Sequence, residues 1–131
     1  VNIASPQGFQ PSSKIVEKAR SLLRFEAKIN IFRNPYEAVK GVDAIYTDVW
    51  ASMGQEEEHL ERAKAFKNFC LDESLLSRAD ANAIVMHCLP AHRGEEISAS
   101  LIDSKASRIF DQAENRLHVQ QALLASLLGG L

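Results

Sequence analysis

Short runs of β-forming residues alternate with helical patterns along this chain, and that alternation restricts the fold more than any other feature of the sequence. A strand that is followed by a helix and then by another strand usually pairs in parallel with it, because the helix carries the chain back across the sheet. Helices then cover both faces of the sheet. The sequence therefore predicts an α/β fold built on a parallel sheet.

Five strands and several helices are expected. The strands are predicted at residues 1–5, 28–32, 43–49, 82–87 and 107–111. The helices are predicted after Pro11, from Pro35 to Gly41, and at 55–66, from 72 onward and at 113–128. Ser12 or Ser13 can cap the first helix, and Asn34 can cap the second. Apolar stripes are expected on the first helix (Ile15, Val16, Ala19, Leu22, Leu23) and on the last (Leu117, Ala122, Leu124, Leu128). At 131 residues the chain fits one domain, a three-layer sandwich of Rossmann-like form.

Three polar segments follow predicted strands at the edge where a parallel sheet binds ligands. They are TDVWASMGQ (47–55), HCLPAHRGEE (87–96) and DQAENR (111–116). Because the carboxyl ends of parallel strands meet at one edge, these segments are expected to converge. Their convergence is the main indication of a binding site that the pattern itself provides.

Composition and motifs exclude several classes of function. A formal charge of -2 offers no basic surface for nucleic acid or for an acidic membrane. No apolar run is long enough to span a bilayer, and residues 1–10 do not resemble a secretory signal. Two cysteines, far apart in sequence, indicate free thiols and a cytoplasmic location. Phosphate-binding glycine motifs, zinc-ligand spacings and a nucleophile elbow are all missing, so we expect neither a metal nor an organic cofactor.

The candidate site residues each have a structural interpretation beside the functional one. Cys88 at a strand end is most often a small buried residue, although His87 and Pro90 beside it favour a ligand contact. Asp48 can serve turn chemistry or bind an ammonium group, and Ser52 is equally an ordinary turn residue. Leu89 precedes proline, which restricts its backbone and can fix carbonyl oxygens toward a ligand.

Arg116 is the fifth candidate. It is predicted in the first turn of the last helix, where a cation opposes the helix dipole. A bound anion nearby would explain the placement. A salt bridge with Asp111 or Glu114 would explain it equally well.

The three segments together carry a resemblance to a known family. TDVWASMG (47–54), MHCLPA (86–91) and FDQAENRLH (110–118) resemble, in order and spacing, three signatures of the ornithine carbamoyltransferases. The resemblance covers essentially the whole chain, which is similar to most of the carboxyl-terminal, ornithine-binding domain. Aspartate carbamoyltransferases typically have His-Pro-Leu-Pro in the second signature and lack the first.

The resemblance implies transfer of a carbamoyl group from carbamoyl phosphate to the side-chain amine of L-ornithine, which gives citrulline and phosphate. It assigns the α-ammonium of ornithine to Asp48, Ser52 and the backbone at Met53. It implies that Cys88 lies beside the attacking amine and that the Cys88 and Leu89 carbonyls accept from the carbamoyl NH2.

Two further residues receive roles from the same resemblance. Arg116 would reach carbamoyl phosphate and stabilise the oxyanion, and His87 would support the site rather than transfer a proton. The resemblance also implies a homotrimeric intact enzyme of amino-acid metabolism, as in arginine biosynthesis.

The chain departs from the family at its amino end. Ser-x-Arg-Thr-Arg and His-Pro-Thr-Gln, which bind carbamoyl phosphate, are absent, as is the Asp-Gly-Asn-Asn that ends the domain's first strand. We therefore expect a fragment that lacks the carbamoyl-phosphate domain and a central strand, and that is inactive by itself. The alternatives are a carbamoyltransferase for acetylornithine or putrescine, a non-catalytic amino-acid-binding module, and an α/β domain whose loops only resemble the signatures.

Overall fold

The computed structural model describes residues 1–51 and 56–129 and has the predicted alternating order. The strands are β1 (Asn2–Ala4), β2 (Asn30–Phe32), β3 (Ala44–Thr47) and β4 (Ile84–His87). The helices are α1 (Ser13–Ser21), α2 (Pro35–Ala38), α3 (Glu56–Phe66, continued by a 3-10 turn at Lys67–Phe69), α4 (Glu73–Leu76), α5 (Ala99–Ile102) and α6 (Ile109–Leu127). The predicted α/β class is confirmed.

Local rules account for several helix starts. Asn34 caps α2, since its side chain accepts a hydrogen bond from the Tyr36 amide at 2.9 Å, and Pro35 occupies the first turn. Asp72 caps α4 through the Leu75 amide at 2.8 Å. Ser12 precedes α1 as expected, but its side chain makes no capping hydrogen bond.

All strand pairing in the described part of the chain is parallel, yet it falls into two separate sheets. β1 pairs with β2, with Ile3 opposite Ile31, and β3 pairs with β4, with Thr47 opposite His87. A cavity of about 910 Å³ is lined by residues of both β1 and β3, among them Asn2, Ala4, Ile45 and Thr47. The interruption therefore lies between β1 and β3, within the region where the sequence predicts one continuous sheet.

The fifth predicted strand, at 107–111, is wrong. Only a short stretch pairs with β4: the Val85 amide donates to Ala106 O at 2.9 Å, and the Arg108 amide donates to Val85 O at 2.8 Å. Helix α6 then begins at Ile109, which is fully buried. Ile109 and Phe110 are residue types that favour strands, which is why the sequence predicts a strand here. In the structure Ile109 is buried as the first residue of a helix instead.

The early start of α6 also changes the position of Arg116. It is the eighth residue of the helix, two turns beyond Ile109. The effect of a helix dipole is confined to the first and last turns, so the proposed conflict between Arg116 and the dipole does not arise.

The buried core lies on the β3–β4 side of the molecule. It is formed by apolar side chains from β4 and from the segments around α2, α4, α5 and α6: Val39, Leu71, Leu75, Val85, Ile97, Leu101, Ile102 and Ile109. The predicted stripe of α1 packs only in part, because Val16 is buried while Ile15 and Leu22 are exposed. The stripe of α6 is exposed at Leu117, Leu124 and Leu128. Among the helices that the structure describes, none is long and apolar enough to cross a membrane.

Candidate active site

Asp48 and Cys88 lie side by side at the carboxyl ends of neighbouring strands. Thr47 and His87 are the last paired residues of β3 and β4, and Asp48 and Cys88 directly follow them. One side-chain donor atom from each of Asp48, His87 and Cys88 lies within 4.8 Å of the others. The prediction that the segments after these two strands converge is therefore confirmed.

Asp48 presents an exposed carboxylate at this edge. One of its oxygens accepts a hydrogen bond from the Val49 amide at 2.7 Å, which fixes the side chain against its own turn. The turn interpretation of Asp48 is therefore confirmed, and the ligand interpretation stays a prediction. The carboxylate remains accessible to a cationic group from solvent.

The Cys88 thiol is half-buried and protonated at neutral pH. Burial raises the pKa of Cys88 above its ordinary value, and the neighbouring Asp48 carboxylate, which accepts a hydrogen bond from the thiol, raises it further. A nucleophilic cysteine requires the opposite shift, toward the thiolate. Cys88 is therefore a neutral thiol rather than a nucleophilic thiolate, and its contact with a substrate stays a prediction.

Tyr46 joins this group, and no motif in the sequence predicts its participation. A hydrogen bond with Cys88, and then burial, raise the pKa of the Tyr46 hydroxyl. Gln112 of α6 approaches the same hydroxyl, with 3.5 Å between its amide nitrogen and the oxygen. Tyr46 thus connects the ends of β3 and β4 to the polar segment at the start of α6.

His87 is fully buried and both of its ring nitrogens are engaged. Its Nδ1 accepts a hydrogen bond from the Leu89 amide at 2.8 Å, and this requires that the neutral ring carry its proton on Nε2. Nε2 lies 3.1 Å from Glu96 Oε1 and donates to it. His87 therefore holds the chain after β4 from inside the protein.

Glu96 is the buried residue that sequence reasoning missed. Its side chain is also fully buried, and Oε1 accepts a second hydrogen bond, from the His92 amide at 2.7 Å. Oε2 has no partner among the described residues. Glu96 follows Glu95 in a charged loop, so nothing local distinguishes it from a solvent-exposed residue.

The Leu89–Pro90 segment has a backbone conformation that the sequence does not predict. Leu89 has φ of 58° and the Leu89–Pro90 bond is cis. A residue before proline ordinarily adopts an extended conformation with negative φ. Leu89 instead has a left-handed conformation, and in it the Leu89 amide donates a hydrogen bond to His87 Nδ1. Within residues 1–51 and 56–129, no donor hydrogen-bonds to the carbonyl of Cys88 or Leu89, so both can accept from a ligand.

Arg116 is exposed on α6 and forms no ion pair with another described residue. The two acids that could have paired with it lie nearer to other basic side chains: Asp111 is 4.0 Å from Arg108, and Glu114 is 3.9 Å from His118. Arg116 follows Gln112 by four residues, and residues at this spacing share one face of a helix. Gln112 contacts Tyr46, so Arg116 lies one turn farther along the same face.

Two predicted site residues, Ser52 and Met53, lie outside the described residues. The structure thus brings together Asp48, His87 and Cys88, with Leu89 adjoining them and Arg116 on a neighbouring helix.

Comparisons with known proteins give a consistent result. The family model for the Asp/Orn binding domain of aspartate/ornithine carbamoyltransferase matches residues 1–127. The ornithine carbamoyltransferase of Parasynechococcus marenigrum is 63% identical over 131 residues, which are all of this chain and 41% of that protein.

Solved structures agree with this match. The ornithine carbamoyltransferase from Pyrococcus furiosus superposes with a TM-score of 0.86 at 46% identity, over 100% of this chain and 42% of that one. The anabolic enzyme from Campylobacter jejuni gives a TM-score of 0.90 at 40% identity, over 100% of this chain and 44% of that one. The chain therefore spans about two fifths of the length of the proteins that it matches.

Proposed function

The chain belongs to the aspartate/ornithine carbamoyltransferase family, and from that premise we propose that it forms the ornithine-binding half of an ornithine carbamoyltransferase. The observation that carries the proposal is the adjacency of Asp48 and Cys88 at the carboxyl ends of β3 and β4. The accessible carboxylate can bind one amino group of a diamino acid, and the neutral thiol can lie beside the other. The reaction is attack of the side-chain amine of ornithine on the carbonyl carbon of carbamoyl phosphate, followed by loss of phosphate to give citrulline.

In this proposal Asp48 binds the α-ammonium group, together with Ser52 and the backbone at Met53. Cys88 lies beside the side-chain amine, which must be neutral in order to attack. A thiolate there would stabilise the ammonium form and raise the pKa of the amine. The raised pKa of Cys88 keeps the thiol uncharged, and this supports a neutral nucleophile.

The carbamoyl group is oriented by backbone carbonyls. Those of Cys88 and Leu89 have no other donor within the described residues and would accept from its NH2. His87 is buried beneath them, so its contribution to substrate binding is to hold the segment that carries these carbonyls.

Arg116 is proposed to reach carbamoyl phosphate and to stabilise the negative charge that develops on the carbonyl oxygen. Its exposure and its lack of an acidic partner among the described residues support this role. Positioning of two substrates and electrostatic stabilisation of an oxyanion are the main requirements of such an acyl transfer. No metal or organic cofactor enters the proposal.

The rest of the enzyme is proposed to lie outside this chain. We propose that residues 1–131 form the ornithine-binding domain without its first strand and without the carbamoyl-phosphate domain. Two observations support this: the chain spans 41% of its relative, and the cavity between β1 and β3 interrupts the sheet. An extended segment pairing with both strands would fill the interruption and satisfy their unpaired backbone groups.

The test is citrulline production from carbamoyl phosphate and ornithine by the full-length protein, compared with the isolated 131-residue chain. We expect activity in the first and essentially none in the second. Normal turnover by the isolated chain would overturn the domain proposal, and faster turnover of putrescine or acetylornithine by the full-length protein would overturn the choice of ornithine.

The non-catalytic alternative predicts a different titration. Calorimetry with ornithine, in the presence and absence of carbamoyl phosphate, separates the two functions. Binding of ornithine to the full-length protein that is unaffected by carbamoyl phosphate would favour a simple binding module.

The wider context rests on the family resemblance. We infer a homotrimeric enzyme of amino-acid metabolism, acting in arginine biosynthesis. Two free thiols, Cys70 and Cys88, support a reducing compartment such as the cytoplasm.

A further inference from the structure

A second cluster of donor side chains lies apart from the residues assigned to ornithine. It consists of His59 in the first turn of α3, and His92 and Glu95 in the loop that follows β4. His59 Nε2 is 3.0 Å from Glu95 Oε2, and His92 Nδ1 is 3.7 Å from the same oxygen. All three donor atoms lie within 4.8 Å of one another. Two imidazoles thus converge on a single carboxylate oxygen.

We propose that His59, His92 and Glu95 form a binding site for a transition-metal dication of the Zn²⁺ class, with water as the fourth ligand. Two histidines and one carboxylate are a common protein ligand set for four-coordinate zinc with an open position. Tetrahedral zinc with bonds of about 2.1 Å places its ligand atoms roughly 3.4 Å apart. The separations of 3.0 and 3.7 Å bracket that spacing.

The ligands are held in place and are accessible to an ion. The His92 amide donates to the buried Glu96 carboxylate at 2.7 Å, and the Glu95 amide donates to His92 O at 3.0 Å, which closes a turn. Gly94 in this turn has φ of 90°, a conformation that glycine adopts without strain. The three side chains are 36%, 47% and 38% exposed, for His59, His92 and Glu95 in turn.

The cluster of Asp48, His87 and Cys88 is a poorer site for the same ion. Both ring nitrogens of His87 already have partners inside the protein, so that residue could bind a metal only if those hydrogen bonds broke. In the proposed site, by contrast, His59 and His92 both contact Glu95, which would itself be a ligand of the ion. Imidazole nitrogens favour Zn²⁺ over Mg²⁺, which prefers oxygen ligands.

The site would tie α3 to the loop after β4. Residues 52–55 precede α3, and Cys88 and Leu89 precede the loop, so a bound ion would connect the two segments that supply the proposed ornithine contacts. The inference goes beyond the proposed function and is independent of it, because metal binding is measured directly.

The test is titration of the full-length protein with Zn²⁺ by calorimetry and with Co²⁺ by absorption spectroscopy. We expect one equivalent to bind through nitrogen and oxygen ligands, and Mg²⁺ not to compete. His59→Ala and His92→Ala should each weaken binding by at least about 100-fold, since even residues that only support a metal ligand contribute about 10–100-fold.

His118→Ala is the matched control, because His118 also lies near a glutamate, at 3.9 Å from Glu114, but without a second histidine. It should bind Zn²⁺ as the parent does. Equal affinities in His59→Ala, His92→Ala and His118→Ala would overturn the proposal. A thiolate-to-cobalt charge-transfer band that disappears in Cys88→Ser would also overturn it, because the ion would then be at the other cluster.

Discussion

Replacement of Glu96 by alanine should release the loop that follows β4, and the structure allows the size of the effect to be worked out. Glu96 Oε1 accepts hydrogen bonds from His87 Nε2 and from the His92 amide, and both carboxylate and imidazole are fully buried. Its removal leaves two neutral donors, the His87 Nε2–H and the His92 amide, without an acceptor, and each buried donor left unpaired costs about 1–3 kcal/mol. Oε2 has no partner among the described residues, so the substitution also removes one unpaired buried oxygen and offsets part of this cost. We therefore expect the loop to be destabilised by about 3 kcal/mol.

Hydrogen exchange measures this effect where it occurs. The Leu89 and His92 amides are protected by His87 and Glu96, so their exchange reports opening of the loop. A loss of about 3 kcal/mol corresponds to exchange roughly a hundredfold faster, at a factor of ten for each 1.4 kcal/mol. The assay is exchange in the full-length protein, followed by mass spectrometry of peptides that cover residues 86–97.

Two variants serve as controls. Glu96→Gln retains an acceptor oxygen for both donors and should alter exchange by less than about tenfold. Glu95→Ala, measured with a chelator present, removes a neighbouring glutamate that is 38% exposed, and should leave the two amides near the parent rate. If Glu96→Ala and Glu95→Ala exchange at the same rate, the buried pair does not hold the loop and the reasoning is refuted.

Three further predictions concern the residues proposed to contact substrate. Asp48→Asn should raise the KM for ornithine by about 10–150-fold, because a hydrogen bond to a charged group contributes roughly 1.5–3 kcal/mol. The KM for carbamoyl phosphate should stay near the parent value, and equal changes in both constants would contradict the role. Arg116→Ala should lower kcat by about 100–1,000-fold in the citrulline assay, as expected for loss of a donor to an oxyanion, and a change in KM alone would contradict it. The raised pKa of Cys88 means that its thiolate forms only above the ordinary pH range for cysteine, so alkylation by iodoacetamide should be slow at pH 7. Alkylation should accelerate in Asp48→Asn, which removes one cause of the raised pKa. Fast alkylation of the parent at pH 7 would refute this prediction.

Much of the fold is predictable because short-range rules decide it. Asn34 and Pro35 specify the start of α2 by local chemistry, and the structure has that start. The strands at 1–5, 28–32, 43–49 and 82–87 carry β-forming residues whose pairing in parallel is dictated by the helices between them. The convergence of Asp48 and Cys88 follows from that topology alone.

The remaining features depend on contacts between residues that are distant in sequence. Ile109 is buried in either a strand or a helix, so the pattern at 107–111 does not distinguish the two. His59 meets Glu95 from 36 residues away. The side-chain partners of Glu96 are near in sequence, but its segment is also held from 25 residues away by the Leu71 amide, which donates to Glu96 O at 2.8 Å. No spacing rule for metal ligands or for buried pairs could have selected them from a chain with 17 acidic residues.

The distribution of buried residues explains how a site can be well formed in a sheet that is interrupted. The main core packs on β4 and the segments around it, and the loop after β4 is held to that core by the buried His87–Glu96 pair. By contrast, β1, β2 and α1 contribute few buried residues, and the hydroxyl of Ser5 at the end of β1 is buried without a partner among the described residues. Because Asp48 and Cys88 both extend from the well-packed pair β3–β4, their relative position is set by the core and by the strand register. The interruption between β1 and β3 therefore separates the two strand pairs, while the relative position of Asp48 and Cys88, the proposed ornithine contacts, is set within one of them.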